Sequence, residues 1–168
     1  MTIDSSLISN FFLQKGEEEG IPISPMKLIK LVYIACGLCL AVYDEDILGD
    51  EEIEAWKHGP VIPSVYHEFK RFGREPIDVR SVTLIAEEAS GFEIGRQSIE
   101  KIKDKEKRER IIKILDVVWK GYKRYSAWGL SQKTHEEGSP WDQADKEGKK
   151  IIDKEVLKKY YGKILDDL

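Results

Sequence analysis

A continuous apolar run over residues 31–43 limits the folds open to this chain more than any other segment. Ser24 and Pro25 precede it in the order typical of a helix start, where a serine side chain caps the helix and a proline occupies the first turn. We therefore predict a helix over Pro25–Tyr43. The helix is amphipathic at first, with Lys27 and Lys30 on one side, and then apolar all round. A helix that is apolar all round must be covered by other elements, so we expect it at the centre of the domain.

Two cysteines, Cys36 and Cys39, lie three residues apart within this run, so a helix places both on one face. A redox pair of this spacing stands at a helix start after a strand, and a zinc site needs further ligands nearby. We interpret both as small buried hydrophobes and expect no metal and no cofactor. The run is shorter than the roughly 20 residues that cross a bilayer, and residues 1–6 lack a secretory signal pattern. We therefore expect a cytoplasmic protein with no membrane partner.

Helical periodicity also marks much of the remaining chain. Further helices are predicted over residues 4–15, 61–73, 100–125, 126–135, from 139 onward and over 156–165. A polar connection is expected at 16–20, a short strand at 53–57, and strand-like composition occurs at 79–86. The predicted fold class is mostly α: a compact helical domain around a central buried helix, with a small β-hairpin or short sheet. We expect one domain over residues 1–168, and residues 75–97 could form a surface specific to this chain.

The charge balance argues against a surface devoted to nucleic acid. The chain has 27 basic and 31 acidic residues, with a net charge of −4, whereas nucleic-acid-binding domains usually carry a basic face. Residues 100–113 hold seven basic and four acidic side chains without aromatic residues between them. Such mixed charge is typical of a solvated helix with i,i+4 ion pairs. Binding to nucleic acid remains an alternative for this helix, and a weak one.

The sequence carries none of the common catalytic or nucleotide-binding motifs. Its three histidines, His58, His67 and His135, have no second ligand at metal spacing. One enzymatic alternative remains, in which His58 and His135 meet an acid such as Glu137 over a polar pocket and act as general acid and base. We interpret the chain as a protein without catalytic residues and retain the histidine-based hydrolase as the alternative.

Two segments concentrate residues that shape the backbone. The first spans residues 55–63 and has the pattern of a rigid turn from a strand into a helix, formed by Trp56, Gly59, Pro60 and Pro63. The second spans residues 130–141 and has the pattern of a helix end followed by a capped helix start, formed by Ser139, Pro140 and Trp141. Each segment can be purely structural or can contact a partner, and the residue pattern leaves both interpretations open.

Three motifs in order resemble those of the Panacea domain family, also described as SocA-like or phage-associated GepA-like. The first, over residues 27–35, has the form K-L-x-K-L-x-Y-x-A and includes Lys27, Lys30 and Tyr33. The second is E-A-W-x-x-G-P-V-x-P-x-x-Y-x-x-F over residues 54–69. The third runs from Ser126 through Leu130-Ser131 and Thr134-His135 to Pro140-Trp141. The resemblance covers about residues 4–165.

This resemblance implies a bacterial, mostly helical domain that is often encoded on phages or other mobile elements. Many members of the family act as antitoxins that neutralise toxins by direct binding. The implied partner is therefore a toxin encoded by an adjacent gene. The alternatives are a phage-derived adaptor that delivers its partner to a protease, or a regulatory protein-binding module.

The motif residues fall into two expected groups. Those expected to hold the fold are Lys27, Lys30, Tyr33, Trp56, Gly59, Pro60, Pro63, Ser139, Pro140 and Trp141. Those expected to contact the partner are Lys57, His58, Tyr66, Thr134 and His135. Residues 44–54 hold seven acids and no base, so a further hypothesis is that this acidic run attracts a basic toxin.

Overall fold

The central helix predicted from the sequence is present with the expected bounds, as α2 (Pro25–Tyr43). In the computed structural model, which describes residues 3–78 and 98–167, α2 packs against five other helices and one strand. Ser24 Oγ accepts a hydrogen bond from Lys27 N at its start, and Asp44 ends it in the left-handed conformation. Cys36 and Cys39 are both buried, as predicted.

The described residues form seven α-helices and one two-stranded antiparallel sheet, which confirms the mostly helical fold class. The elements are α1 (Ser5–Glu19), α2 (Pro25–Tyr43), β1 (Glu54–Trp56), β2 (Gly59–Val61), α3 (Pro63–Phe69), α4 (Lys105–Tyr122), α5 (Ala127–Thr134), α6 (Pro140–Lys146) and α7 (Lys154–Asp166). Single 3₁₀ turns occupy Lys70–Phe72 and Ile99–Lys101. The strand-like segment predicted at 79–86 lies outside the described residues.

Taken alone, α2 is long and apolar enough to cross a bilayer, with 19 residues and a mean hydropathy of 1.8. The expectation from residues 31–43 alone was a run too short to do so, but the helix begins earlier, at Pro25. Within the described structure, 78% of its apolar window is buried against other elements. A helix buried to this extent belongs to the core of the fold.

The lysines in the first half of α2 do not face solvent, as the charged side of an amphipathic helix usually does. Both are buried. The Lys27 ammonium donates to the backbone oxygen of Lys123 at 2.5 Å. The Lys30 ammonium donates to the backbone oxygen of Pro60 at 2.7 Å. The polar side of α2 therefore faces backbone acceptors from distant parts of the chain.

Helix α1 continues past its predicted end at residue 15 and stops at Gly20, which adopts φ = 67°. The prediction of a polar connection at 16–20 was wrong for most of that segment. Gly16 lies inside the helix and faces the returning chain, where an added Cβ would lie 2.8 Å from the backbone oxygen of Ile21. The glycine therefore allows close approach of the chain without ending the helix.

The two strands form a hairpin whose two-residue turn is Lys57-His58. Glu54 pairs with Val61 and Trp56 pairs with Gly59. The predicted turn from a strand into a helix was incomplete, because Gly59–Val61 forms a second strand before α3 begins. The outer edge of β1 is covered by the chain before α7, since Ala55 N donates to the backbone oxygen of Lys150 at 2.7 Å.

The second half of the structure begins later than predicted. Helix α4 starts at Lys105 and not at residue 100, because Asp104 caps it by accepting from Lys107 N at 3.0 Å. Ser126 and Ser139 cap α5 and α6, as expected from their positions before each helix.

The acidic run at 44–54 is largely neutralised within the chain. Five of its seven acids bind other parts of the described structure: Asp44 with Lys158, Glu45 with Lys107 and Arg110, Asp46 with Lys154, Glu51 with Ser5 and Ser64, and Glu54 with Lys150 and Trp56. These contacts join the acidic run to α1, α3, α4 and α7. Most charges of the acidic run are therefore engaged in contacts within the fold, and the attraction of a basic toxin by this run stays a prediction.

Candidate partner-binding site at the hairpin

Three side chains from three helices hold the hairpin by alternate backbone carbonyls. We call them the hairpin anchors: Lys30 of α2, Ser131 of α5 and Trp141 of α6. Their donor-to-acceptor pairs are Trp141 Nε1 to Trp56 O at 2.6 Å, Ser131 Oγ to His58 O at 2.6 Å, and Lys30 Nζ to Pro60 O at 2.7 Å. The three motifs of the sequence thus meet at one place.

Lys30 is the charged member of the anchors, and only 2% of its surface is exposed. Among the described residues no carboxylate pairs with it, and burial lowers the pKa of its ammonium to about 7. Gly59 makes room for the lysine. It adopts φ = 109°, and an added Cβ would lie 3.0 Å from Lys30 Nζ and 3.4 Å from His135 Nδ1. A side chain at position 59 would therefore meet both backbone strain and a crowded neighbour.

A groove of about 300 Å³ opens between the start of α2, the hairpin turn and α3. This hairpin groove is walled by Trp56 and Tyr66, whose ring centroids are 4.8 Å apart with planes at 67°. Its apolar floor includes Met26, Ile29 and Val61, and Lys57, His58 and Lys70 lie at its polar edge. Its described lining contains no carboxylate, so the groove combines aromatic surface with positive charge.

Three of the five predicted contact residues line this groove. Lys57 and His58 are exposed in the hairpin turn, and Tyr66 is half-buried on α3. The prediction that Thr134 contacts a partner is corrected by the structure. Thr134 is buried, and its hydroxyl donates to the carbonyls of Leu130 and Ser131 within its own helix. A residue so placed presents no side chain to a partner.

His135 also lies away from the groove lining. It is half-buried, and its ring centroid lies 5.2 Å from that of Trp141. Its Nδ1 is 3.5 Å from Ser131 Oγ, on the inner side of the hairpin. The structure thus separates the predicted contact set into a groove group and an inner group.

The structure also gives the positions of the residues expected to hold the fold. Tyr33 is buried at the centre of α2, and its hydroxyl has no hydrogen-bond partner among the described residues. Pro63 and Pro140 occupy the first turns of α3 and α6. Ser139 Oγ accepts a hydrogen bond from the backbone N–H of Asp142, in the first turn of α6, at 3.2 Å. The Asp142 carboxylate accepts a hydrogen bond from Gly138 N, the residue before the capping serine, at 2.8 Å.

The hairpin groove does not contain the full set of side chains that the enzymatic alternative requires. The side chain of His58 lines the hairpin groove, whereas His135 and Glu137 are not among its lining residues. The Ser131 hydroxyl is fully buried and its proton is donated to a carbonyl, so it is not placed to attack a substrate. Ser131 was absent from the predicted site residues. Its place in the third motif was the signal that pointed to it.

Comparisons with known proteins agree with the resemblance seen in the sequence. The family model described as "Antitoxin SocA-like, Panacea domain" matches residues 28–142. "Antitoxin SocA" of Caulobacter vibrioides (strain NA1000 / CB15N) is 32% identical over 141 residues, which cover 84% of this chain and 70% of that protein. No solved structure matches. The matched segment contains all three hairpin anchors and both walls of the hairpin groove, and the chain belongs to the SocA-like antitoxin family with a Panacea domain.

Proposed function

We propose that this chain is an antitoxin that neutralises a toxin encoded by an adjacent gene through direct binding at the hairpin groove. The observation that carries the proposal is the family match over residues 28–142, together with a relative named as an antitoxin. On this proposal, the chain binds the toxin in the cytoplasm, the compartment that both proteins share. The protein acts by binding and not by catalysis.

The hairpin groove has the properties of a binding hot spot. Trp56 and Tyr66 offer a large aromatic surface at little loss of rotamer freedom, and such residues dominate binding energies at interfaces. The hairpin anchors hold the backbone on which Trp56 and His58 sit, so less conformational freedom remains to be lost on binding. An apolar side chain of the toxin would fill the groove, and a neighbouring acidic group would meet Lys57 or Lys70.

A growth assay tests the antitoxin role. The adjacent gene is expressed alone and then with this chain, and colonies are counted. We expect killing by the neighbour and survival with the pair. A harmless neighbour, or killing that this chain does not relieve, would contradict the proposal.

Two groove variants test the site. Lys57→Glu reverses an exposed charge in the hairpin turn, and Tyr66→Ala removes one wall. Lys159→Glu, on the exposed side of α7, is the matched charge control. By calorimetry with purified toxin we expect the groove variants to bind about tenfold more weakly or worse, and the control to bind like the parent. Circular dichroism melts establish that each variant is folded.

A third comparison separates direct neutralisation from delivery to a protease. Purified toxin should lose activity on mixing with this chain alone. Toxin that stays active in the mixture but disappears from cells only when a protease is present would replace direct neutralisation with the adaptor role.

A further inference from the structure

A second surface with different chemistry lies at the junction of α4 and α5, and the hairpin groove does not include it. Between Asp116 and Glu136 the sequence contains no acid, although the whole chain has 31. The same stretch carries four cations: Lys120, Lys123, Arg124 and Lys133. Local charge here is therefore positive on a molecule whose net charge is −4.

The junction also exposes large apolar side chains. Trp128 is 59% exposed, Val117 is 59% exposed and Tyr125 is 41% exposed. Tryptophan and tyrosine in folded proteins normally bury most of their area, and their exposure together marks interaction sites. The Tyr125 ring is held in place, since its centroid is 5.6 Å from that of Tyr122 and Lys133 Nζ lies 6.0 Å from it. We refer to Val117, Lys120, Arg124, Tyr125 and Trp128 as the α4–α5 patch.

A cavity of about 410 Å³ borders this patch, between the segment before α2 and the α4–α5 link. Lys27, Lys123, Arg124 and Tyr125 contribute to its lining, and no described lining residue is acidic. Two of these cations are already engaged: the Lys27 ammonium donates to the Lys123 carbonyl, and the Lys123 ammonium pairs with Glu19 at 2.7 Å.

Arg124 and Lys120 differ from Lys27 and Lys123. Both are exposed, and neither forms an ion pair with a described residue. An arginine guanidinium can bind a carboxylate with two parallel hydrogen bonds, so Arg124 is the residue best suited to recognise an acidic group at the mouth of the cavity. Lys120, four residues before Arg124, adds a second positive charge, and Trp128, four residues after it, adds an exposed apolar side chain.

We propose that the α4–α5 patch binds an acidic segment of a partner protein, with carboxylates at Arg124 and Lys120 and an apolar side chain against Trp128. The patch is distinct from the hairpin groove, so this proposal does not require the groove to be the toxin site.

An acidic polypeptide fits this surface better than a nucleic acid does. Affinity for nucleic acid grows with the number of phosphates neutralised, and the five residues of the α4–α5 patch include two cations, Lys120 and Arg124. The molecule's net negative charge opposes a long polyanion. A short segment in which acids alternate with apolar residues instead uses both the cations and the exposed aromatic rings.

Fluorescence anisotropy with the full chain tests this proposal. The probe is a short fluorescein-labelled peptide of aspartate and glutamate interspersed with phenylalanine. One comparison probe replaces the acids by asparagine and glutamine, and another is a single-stranded oligothymidine of similar length. We expect saturable binding of the acidic peptide that weakens as salt rises, because exposed charges are screened over about 8 Å at physiological ionic strength.

Variants locate the binding. Arg124→Glu and Trp128→Ala should each weaken the acidic peptide about tenfold, as loss of an interface anchor does. Lys159→Glu makes the same charge change on α7, and Val42→Ala removes an exposed apolar side chain at the far end of α2. Both controls should bind like the parent.

Three results would overturn the proposal. The first is no saturable binding of the acidic peptide, and the second is equal binding by Arg124→Glu and the parent. The third is tighter binding of the oligothymidine than of the acidic peptide, which would assign the patch to nucleic acid. None of these results depends on whether the adjacent gene encodes a toxin, so failure here and failure of the antitoxin role are distinguishable.

Discussion

Replacement of Lys30 by methionine should remove a pH dependence from the stability of the protein. Burial lowers the pKa of the folded-state ammonium from 10.5 to about 7. Between these two values the unfolded chain binds more protons at this site than the folded chain does. The free energy of unfolding therefore rises with pH over this window, and the contribution is lost as pH falls towards about 7. The Lys30→Met variant has no titratable group at this position, so its free energy of unfolding lacks this pH-dependent contribution.

The size of the effect follows from the two pKa values. Each tenfold change in a protonation equilibrium is about 1.4 kcal/mol, so the full window amounts to at most about 5 kcal/mol. Between about pH 7 and about pH 9 the parent should gain about 2 kcal/mol relative to Lys30→Met. The methionine also loses the hydrogen bond to Pro60 O, which shifts the difference by a constant and leaves its pH dependence unchanged.

Urea unfolding of both proteins across this pH range measures the difference directly. Comparing the two proteins cancels the other titrating groups, including the buried Cys36 and Cys39, whose thiol pKa values burial raises. Lys113→Met, at an exposed position of α4, controls for the removal of one lysine. If the curves for the parent and Lys30→Met stay parallel, Lys30 remains charged in the fold and the argument from burial is wrong.

Three further substitutions test the packing around the site. Trp141→Phe should lower the free energy of unfolding by about 1–3 kcal/mol, because it leaves the partly buried Trp56 carbonyl without its donor. Gly59→Ala should cost about 1–3 kcal/mol, because φ is 109° and the lysine below is close. Gly37→Ala should cost about 1–3 kcal/mol, because its Cβ would overlap the Tyr161 ring between α2 and α7. Chemical denaturation measures all three.

Matched glycines serve as controls for the last two. Gly138 has φ = 81° but no atom within 4 Å of an added Cβ, so Gly138→Ala reports backbone strain alone and should be milder than Gly59→Ala. Gly162 is helical and equally open, so alanine there should be neutral or stabilising by up to about 1 kcal/mol. Equal effects at the crowded and open positions would contradict the packing described.

Local chemistry made the central helix and the later caps predictable. Ser24, Ser126 and Ser139 each accept from a backbone N–H of the helix that follows, and this depends only on residues close in sequence. The fully apolar run fixed α2 as the core, since nothing in such a run can face water. These features are decided within one or two helical turns.

Features that depend on residues distant in sequence could not be predicted from local patterns. The burial of Lys27 depends on a carbonyl 96 residues away, and that of Lys30 on one 30 residues away. No local pattern reveals such acceptors. The position of the second strand was missed for a related reason. Pro60 has no N–H to donate to a ladder, yet its carbonyl accepts from Lys30 and its neighbours pair with β1. Thr134 was misplaced because its burial depends on the packing of α5.

The polar atoms of the hairpin anchors are already engaged within the fold, and this bears on how binding specificity is encoded. Trp141 and Ser131 donate their only side-chain protons to the hairpin, and Lys30 is buried beneath it. A partner cannot use these groups without breaking the contacts that shape the hairpin groove. Specificity must therefore come from the exposed residues that the anchors position, Lys57 and His58 among them. Exchange of the turn residues should then alter partner choice while stability is retained, whereas substitution of an anchor should lower stability and binding together.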